Sequence, residues 1–219
     1  MMPGHTQVLQ VFAKAPVAGA CKTRLIPALG AQGAATLHQR LVRHRLEAAR
    51  VWQGATQNAR VELWCAPDTV HPFFADCARD YGVTLHQQTG PDLGARMWLA
   101  LCGAVAKSER PVLVGTDCPW LTLDDLAAAF AALDSADAVF APALDGSYVL
   151  VGLKRAVPEL FAGVTWGADS VMAATRAAAK RVHATIAELR TWPDLDTPAD
   201  LVRLKTDPQF ASLLEELIT

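Results

Sequence analysis

Short runs with strand-like patterning alternate along the chain with longer stretches whose apolar residues recur every three or four positions. Residues 7–13 (QVLQVFA) read as a strand. Residues 31–52 read as a long amphipathic helix, with Leu37, Leu41, Val42, Leu46 and Ala49 along one side. A strand at 60–66, a helix at 70–80, a strand at 83–87 and a helix at 93–107 follow. The run PVLVG at 111–115 is continuously apolar, as expected of a strand covered on both faces. A helix over 123–133 begins with Thr122 and Asp125 at capping-box spacing. Strands at 136–143 and 147–153 flank Asp145–Gly146, and helices near 168–180 and over 198–217 close the pattern.

Strand–helix alternation predicts an α/β fold built on a mainly parallel sheet. The two strands around Asp145–Gly146 interrupt it, so the sheet is expected to be mixed, with at least one antiparallel member. No linker-like stretch and no internal repeat divides the sequence, which reads as one domain over residues 1–219.

Composition narrows the function classes. Hydrophobic residues at 52% and charged residues at 19% exclude a disordered chain. Twenty Lys and Arg against 22 Asp and Glu leave a net charge of −2, with no basic excess to hold a nucleic-acid backbone. The cysteines at 21, 65, 77, 102 and 118 form no CxxC pair and no zinc spacing, as expected of reduced thiols in a cytoplasmic protein. The opening residues show no secretory pattern, and no apolar run is long enough to span a bilayer.

Four segments could carry chemistry. Residues 14–25 (KAPVAGACKTRL) follow the first strand, and their small residues make a tight loop beside the cations Lys22 and Arg24, suited to an anion. The spacing is not that of a P-loop, because Cys21 and Pro16 stand where glycines are needed. Read alone, the segment is more simply a surface loop with two solvated cations. Asp117, in VLVGTDCPWLT, lies just past a buried strand, where open α/β sheets bind ligands and where a carboxylate can hold a hard cation. It could equally cap the turn before Pro119. Asp145–Gly146 is a strong hairpin cue, and its glycine would also allow a ligand to approach the backbone. In PDLDTPADL, Thr197, Pro198 and Asp200 suit the first positions of a helix, which leaves Asp194 and Asp196 unexplained.

Taken in order, these segments resemble a bacterial family of glycosyltransferase-like proteins in the GT-A, or nucleotide-diphospho-sugar transferase, superfamily, some members of which are associated with arsenosugar biosynthesis. Its K-x-P-x-x-G-x-x-K-T-R-L loop is matched by Lys14, Pro16, Gly19, Lys22, Thr23, Arg24 and Leu25. Its Q-x-G-x-D-L-G-x-R-M segment is matched by Gln88, Gly90, Asp92, Leu93, Gly94, Arg96 and Met97. Gly115–Pro119 match G-(S/T)-D-C-P, and Asp194–Leu201 match D-x-D-T-P-x-D-L. Asp145–Tyr148 match D-G-G-Y except at Ser147, and Phe161, Val164 and Trp166 match F-x-x-(V/I)-x-W-x-T, with Ala168 in the threonine position.

The resemblance implies a first loop, with Ala13, Lys14, Pro16 and Gly19, that wraps a nucleotide, while Lys22 and Arg24 contact its diphosphate. It places Gly90, Asp92 and Gly146 near base or sugar, and Mg²⁺ or Mn²⁺ on Asp117 and Asp196. Asp145 and Asp169 are further acids in segments expected to face the sugar, one of them as catalytic base. The implied reaction is transfer of a sugar from a nucleotide-diphospho-sugar to a small-molecule acceptor. Two alternatives stand beside it. The K-(S/T)-R-L element is shared with phospholactate guanylyltransferases, which would release pyrophosphate, and a non-catalytic nucleotide binder would release nothing.

Overall fold

The computed structural model describes residues 5–215. Strand β1 (Gln7–Lys14) is followed by helix α1 (Ile26–Ala55), strand β2 (Ala59–Ala66), helix α2 (Pro72–Tyr81), strand β3 (Thr84–Gln87) and helix α3 (Leu93–Val105). Strand β4 (Arg110–Val114), helix α4 (Leu123–Ala132) and strands β5 (Ala138–Pro142) and β6 (Tyr148–Leu153) come next. Helix α5 (Val171–Arg181), strand β7 (Ile186–Glu188) and helices α6 (Pro198–Thr206) and α7 (Ala211–Leu214) complete the order.

All seven strands form one sheet in the order β3-β2-β1-β4-β6-β5-β7. Strand β6 runs antiparallel to both β4 and β5, and every other pairing is parallel. The expected mixed, mainly parallel sheet is therefore present, with its antiparallel member supplied by the hairpin around Asp145–Gly146.

Alternation along each strand sorts side chains into two cores. Leu9, Val11, Val112 and Val114 pack under α1, α2 and α4, whereas Phe12, Leu113 and Val151 pack under α3 and α5. A third cluster joins Leu37 and Leu41 of α1 to Leu201, Leu204 and Phe210 near the end of the chain. The predicted stripe on α1 is wholly buried. Helical geometry is interrupted only at Gly30 (φ 69°, ψ 168°), so the regular part of α1 begins at the predicted residue 31. Both capping boxes, Thr122 with Asp125 and Thr197 with Asp200, are formed.

Three expectations are corrected. The predicted 198–217 helix breaks at Asp207 (φ −98°, ψ 110°), because the following Pro208 disfavours helical backbone in the residue before it; residues 216 and 217 lie outside the described residues. Helix α5 starts at Val171, so Asp169 precedes it rather than opening it. Strand β7 was not anticipated. Its three residues pair in parallel with β5 at the sheet edge and carry no long alternating signal.

Asp137 ties β7 to the sheet. Its carboxylate accepts from Arg155 at 2.7 and 3.0 Å and from the Thr185 backbone N–H at 2.8 Å. The Arg155 contact outweighs burial, and with Thr185 it holds the carboxyl down at about 2. A depressed carboxyl stabilises the fold above its ordinary value of 3.8, and that stabilisation is lost as pH falls toward about 2. Asp137→Asn is therefore expected to cost about 2 kcal/mol in urea unfolding at pH 7. The deficit should shrink toward zero as the midpoint is followed from pH 4 down to about pH 2.

Candidate functional site

A cleft of about 450 Å³ opens at the C-terminal ends of β1 and β4, beside the start of β6. Its position follows from topology, since loops leaving adjacent parallel strands diverge there. Its lining combines a charged set, Lys14, Lys22, Arg24, Asp117, Asp145, Asp194 and Asp196, with an apolar and aromatic set that includes Phe12, Leu93, Met97, Tyr148 and Trp166.

Lys22 sits at the centre of the charged set. Its backbone is left-handed (φ 47°, ψ 41°), an uncommon conformation for a residue with a side chain. The ammonium lies 2.9 Å from Asp117 Oδ1 and 3.1 Å from Asp196 Oδ1, and it also donates to the Leu195 carbonyl. Three acceptors match the three protons of an ammonium, and the side chain is only 4% exposed. Burial pushes the ammonium toward neutrality, but the two carboxylates overcome it and raise its pKa. Burial also acts to raise the Asp117 carboxyl, but Lys22, His38 and Lys14 outweigh it and hold the group below the ordinary carboxylate range.

Each carboxylate is placed by backbone rather than by chance. Asp117 follows β4, and its carbonyl accepts from Leu195 N at 2.8 Å, which locks the 194–196 turn onto the 117 turn. Leu195 is fully buried in a cluster with Leu25, Leu37 and Leu41, while its neighbours Asp194 and Asp196 line the cleft. From beneath, the fully buried Arg45 of α1 donates to the carbonyls of Cys118 and of Leu121, the latter at 3.0 Å. His44 bonds the Pro119 carbonyl at 3.2 Å. Helix α1 thus carries the whole turn that presents Asp117.

Arg24 is 68% exposed and reaches Asp196 Oδ2 at 3.4 Å, while the exposed Lys14 side chain has no partner among the described residues. Asp145 Oδ1 accepts from Ser147 N at 2.9 Å, which makes the turn and leaves its second oxygen unpaired among the described residues. Burial, reinforced by the like charges of Asp145 and Asp196, pushes the Asp194 carboxyl up to about 6.

The cleft thus gathers Ala13, Lys14, Lys22, Arg24, Asp117, Asp145 and Asp196 from the expected set. Pro16, Gly19, Gly90, Asp92, Gly146 and Asp169 do not line it. Asp92 caps α3 by accepting from Ala95 N at 2.8 Å. Gly90 approaches α3, where an added Cβ would fall 3.0 Å from Ala95 Cβ. A Cβ on Gly146 (φ 86°) would fall 1.9 Å from the Asp169 carbonyl oxygen, so the close approach at Gly146 is made by the chain's own backbone.

Sequence reasoning set Asp194 apart without giving it a role, and it passed over Gln88, His38 and Trp166 as site residues. Gln88 Nε2 donates to the carbonyls of Ala13 and Trp64 at 3.3 and 2.9 Å. His38 bonds the Lys14 carbonyl at 3.0 Å, and burial pushes its imidazole toward the neutral form. Trp166 lies over Gly94, where a Cβ would meet its ring at 2.3 Å. All are long-range relations; Gln88 and Trp166 entered the sequence reading only as matches to family motifs.

The fold recurs among solved structures. A candidate nucleotide-diphospho-sugar transferase from Desulfovibrio desulfuricans G20 is 29% identical, with a TM-score of 0.83 over 97% of this chain and 95% of that one. The inositol-1-phosphate CTP transferase of T. maritima is 12% identical, with a TM-score of 0.57 over 98% of this chain and 97% of that one. Glucosyl-3-phosphoglycerate synthase of Mycobacterium tuberculosis, in complex with Mn²⁺, UDP and glucosyl-3-phosphoglycerate, is 12% identical, with a TM-score of 0.52 over 99% of this chain and 81% of that one. The last two likenesses concern fold alone. No curated protein matches the sequence. Among the described residues, no helix is long and apolar enough to cross a membrane. Residues 51–168, more than half of the chain, match the family described as uncharacterized protein conserved in bacteria (DUF2064), and the chain belongs to that family.

Proposed function

We propose that the cleft binds a nucleotide-diphospho-sugar and transfers its sugar to a small-molecule acceptor, with one divalent cation held by Asp117 and Asp196. The observation that carries this reading is the convergence of those two carboxylates with Lys14 and Arg24 in one cleft at the ends of the parallel strands. The donor set fits a hard cation. Both side chains offer oxygen, each gives only Oδ1 to Lys22, and Asp117 is half-exposed. Mg²⁺ or Mn²⁺ bound there would supply charge for the departing nucleoside diphosphate.

The chain's own residues would do the rest. The exposed Lys14, and the exposed Arg24 on exchanging its 3.4 Å contact with Asp196 Oδ2 for a ligand, take the phosphate oxygens. The apolar wall of Leu93, Met97 and Trp166 takes an uncharged part of the substrate and excludes water from it. The unpaired oxygen of Asp145 accepts the acceptor's hydroxyl proton as the acceptor's own hydroxyl oxygen attacks the anomeric carbon and the bond from that carbon to the diphosphate breaks.

A second reading, nucleotidyl transfer, is favoured by the Lys22-Thr23-Arg24-Leu25 element and by fold likeness to the CTP transferase. Products separate the two. Incubated with Mg²⁺ or Mn²⁺ and panels of nucleoside triphosphates and nucleotide-diphospho-sugars, the protein is expected to release free nucleoside diphosphate. Pyrophosphate from a triphosphate would establish nucleotidyl transfer instead, and release of neither would leave a binding protein. Asp145→Asn should lower turnover with acceptor by roughly 10²–10⁴ while leaving donor affinity nearly unchanged. In calorimetry, Arg24→Ala and Lys14→Ala should each weaken nucleoside diphosphate by about 1.5–3 kcal/mol while sparing the bare nucleoside. Equal weakening of both ligands would show that these side chains only shape the loop.

A further inference from the structure

The cation and phosphate roles in the proposed site divide in an unexpected way among its three basic residues. A lysine that serves a phosphate needs protons to give it, and Lys22 has none to spare. Its ammonium donates to Asp196 Oδ1 and the Leu195 carbonyl and is ion-paired with Asp117 Oδ1 at 2.9 Å. The side chain is 4% exposed, whereas Arg24 is 68% exposed and Lys14 is open to the cleft. Turning the ammonium outward would leave a buried carbonyl without a donor and two carboxylates facing each other with only the exposed Arg24, at 3.4 Å from Asp196, as counter-charge. The left-handed backbone at Lys22 is maintained against its intrinsic cost, and it accompanies an inward-directed side chain.

We propose that Lys22 is a positioning residue, the built-in counter-cation of the Asp117–Asp196 pair, and not a ligand of the phosphates. It neutralises one of the pair's two negative charges and engages only one oxygen of each carboxylate. The remaining charge and the two Oδ2 atoms, of which Asp196 Oδ2 lies 3.4 Å from the exposed Arg24, are what a single divalent ion would share once Arg24 turns to the phosphates. Phosphate affinity then belongs to Arg24 and Lys14. This inference rests on the nucleotide reading only where it speaks of phosphates; the cation arm stands without it.

The consequence is that removing Lys22 should turn a metal-indifferent fold into a metal-dependent one. In chelator, Lys22→Met is expected to melt about 5 °C or more below wild type. Saturating Mn²⁺ should restore most of that loss while moving wild type by only about 1 °C. Mn²⁺ titrated into nucleotide-free protein and followed by electron paramagnetic resonance should bind Lys22→Met about tenfold or more tightly than wild type. Inorganic pyrophosphate in chelator should bind Lys22→Met within about threefold of wild type but Arg24→Met about tenfold more weakly.

Lys22→Met that gains nothing from Mn²⁺, or that loses pyrophosphate as Arg24→Met does, would overturn the assignment. Should Lys22→Met fail to fold in chelator, recovery on refolding in Mn²⁺ supports the assignment. The charge-matched Lys22→Met/Asp196→Asn variant is also expected to fold without metal, and its failure to do so would overturn the assignment. If pyrophosphate and nucleotides bind none of the proteins, the nucleotide reading fails while the Mn²⁺ arm still decides the role of Lys22.

Discussion

The ammonium of Lys22 joins three parts of the chain that are otherwise separate: the loop after β1, the turn after β4 and the Asp194–Asp196 turn before α6. Lys22 and Asp196 are 174 positions apart, so the contact closes nearly the whole sequence into one site. Buried ion pairs are expensive to desolvate, and their attraction repays that cost only when the remaining hydrogen bonds are also made. Here they are: the carbonyl of Leu195 takes the third proton, and Leu195 itself is held by the core. The clasp therefore depends on hydrophobic packing behind it as much as on charge.

That packing runs through α1. Its buried stripe binds the sheet on one side and α6 on the other, and the same helix sends Arg45 and His44 to the carbonyls of the Cys118–Leu121 turn. One helix thus fixes both carboxylates that meet at Lys22. The mixed lining of the cleft follows from the same architecture. Loops from β1 and β4 and the turn before α6 bring charge, while α3 and the start of β6 bring Leu93, Met97 and Tyr148. A ligand that carries both phosphates and an uncharged body matches this lining.

Local features were legible in the sequence because their causes are local. The two capping boxes, the stripe on α1 and the apolar β4 run need only neighbouring residues to be recognised. Strand β7 was not legible, since three half-exposed residues become a strand only by pairing with β5. The site divides similarly. Asp117 stood out by its place past a buried strand, although a turn cap explained it equally, and Asp196 as an acid its turn does not require; both reach the cleft. Glycines were ambiguous in principle. A glycine signals that something comes close, and at Gly146 the neighbour is the Asp169 backbone. Gln88 and Trp166 were invisible as site residues because their positions depend on contacts with Ala13, Trp64 and Gly94, across the fold.

Lys22 and the two carboxylates act as one unit, and a double-mutant cycle measures this directly. Unfolding free energies would be obtained in chelator for wild type, Lys22→Met, Asp196→Asn and the double variant. Residues in one ion-pair network show coupling of about 0.5–3 kcal/mol, whereas independent sites add to within about 0.5 kcal/mol. The clasp predicts a coupling near the upper end of that range, with the double variant more stable than the sum of the single losses implies. Additive losses would contradict it, and Lys22 would then be a buried side chain that merely lies near two acids.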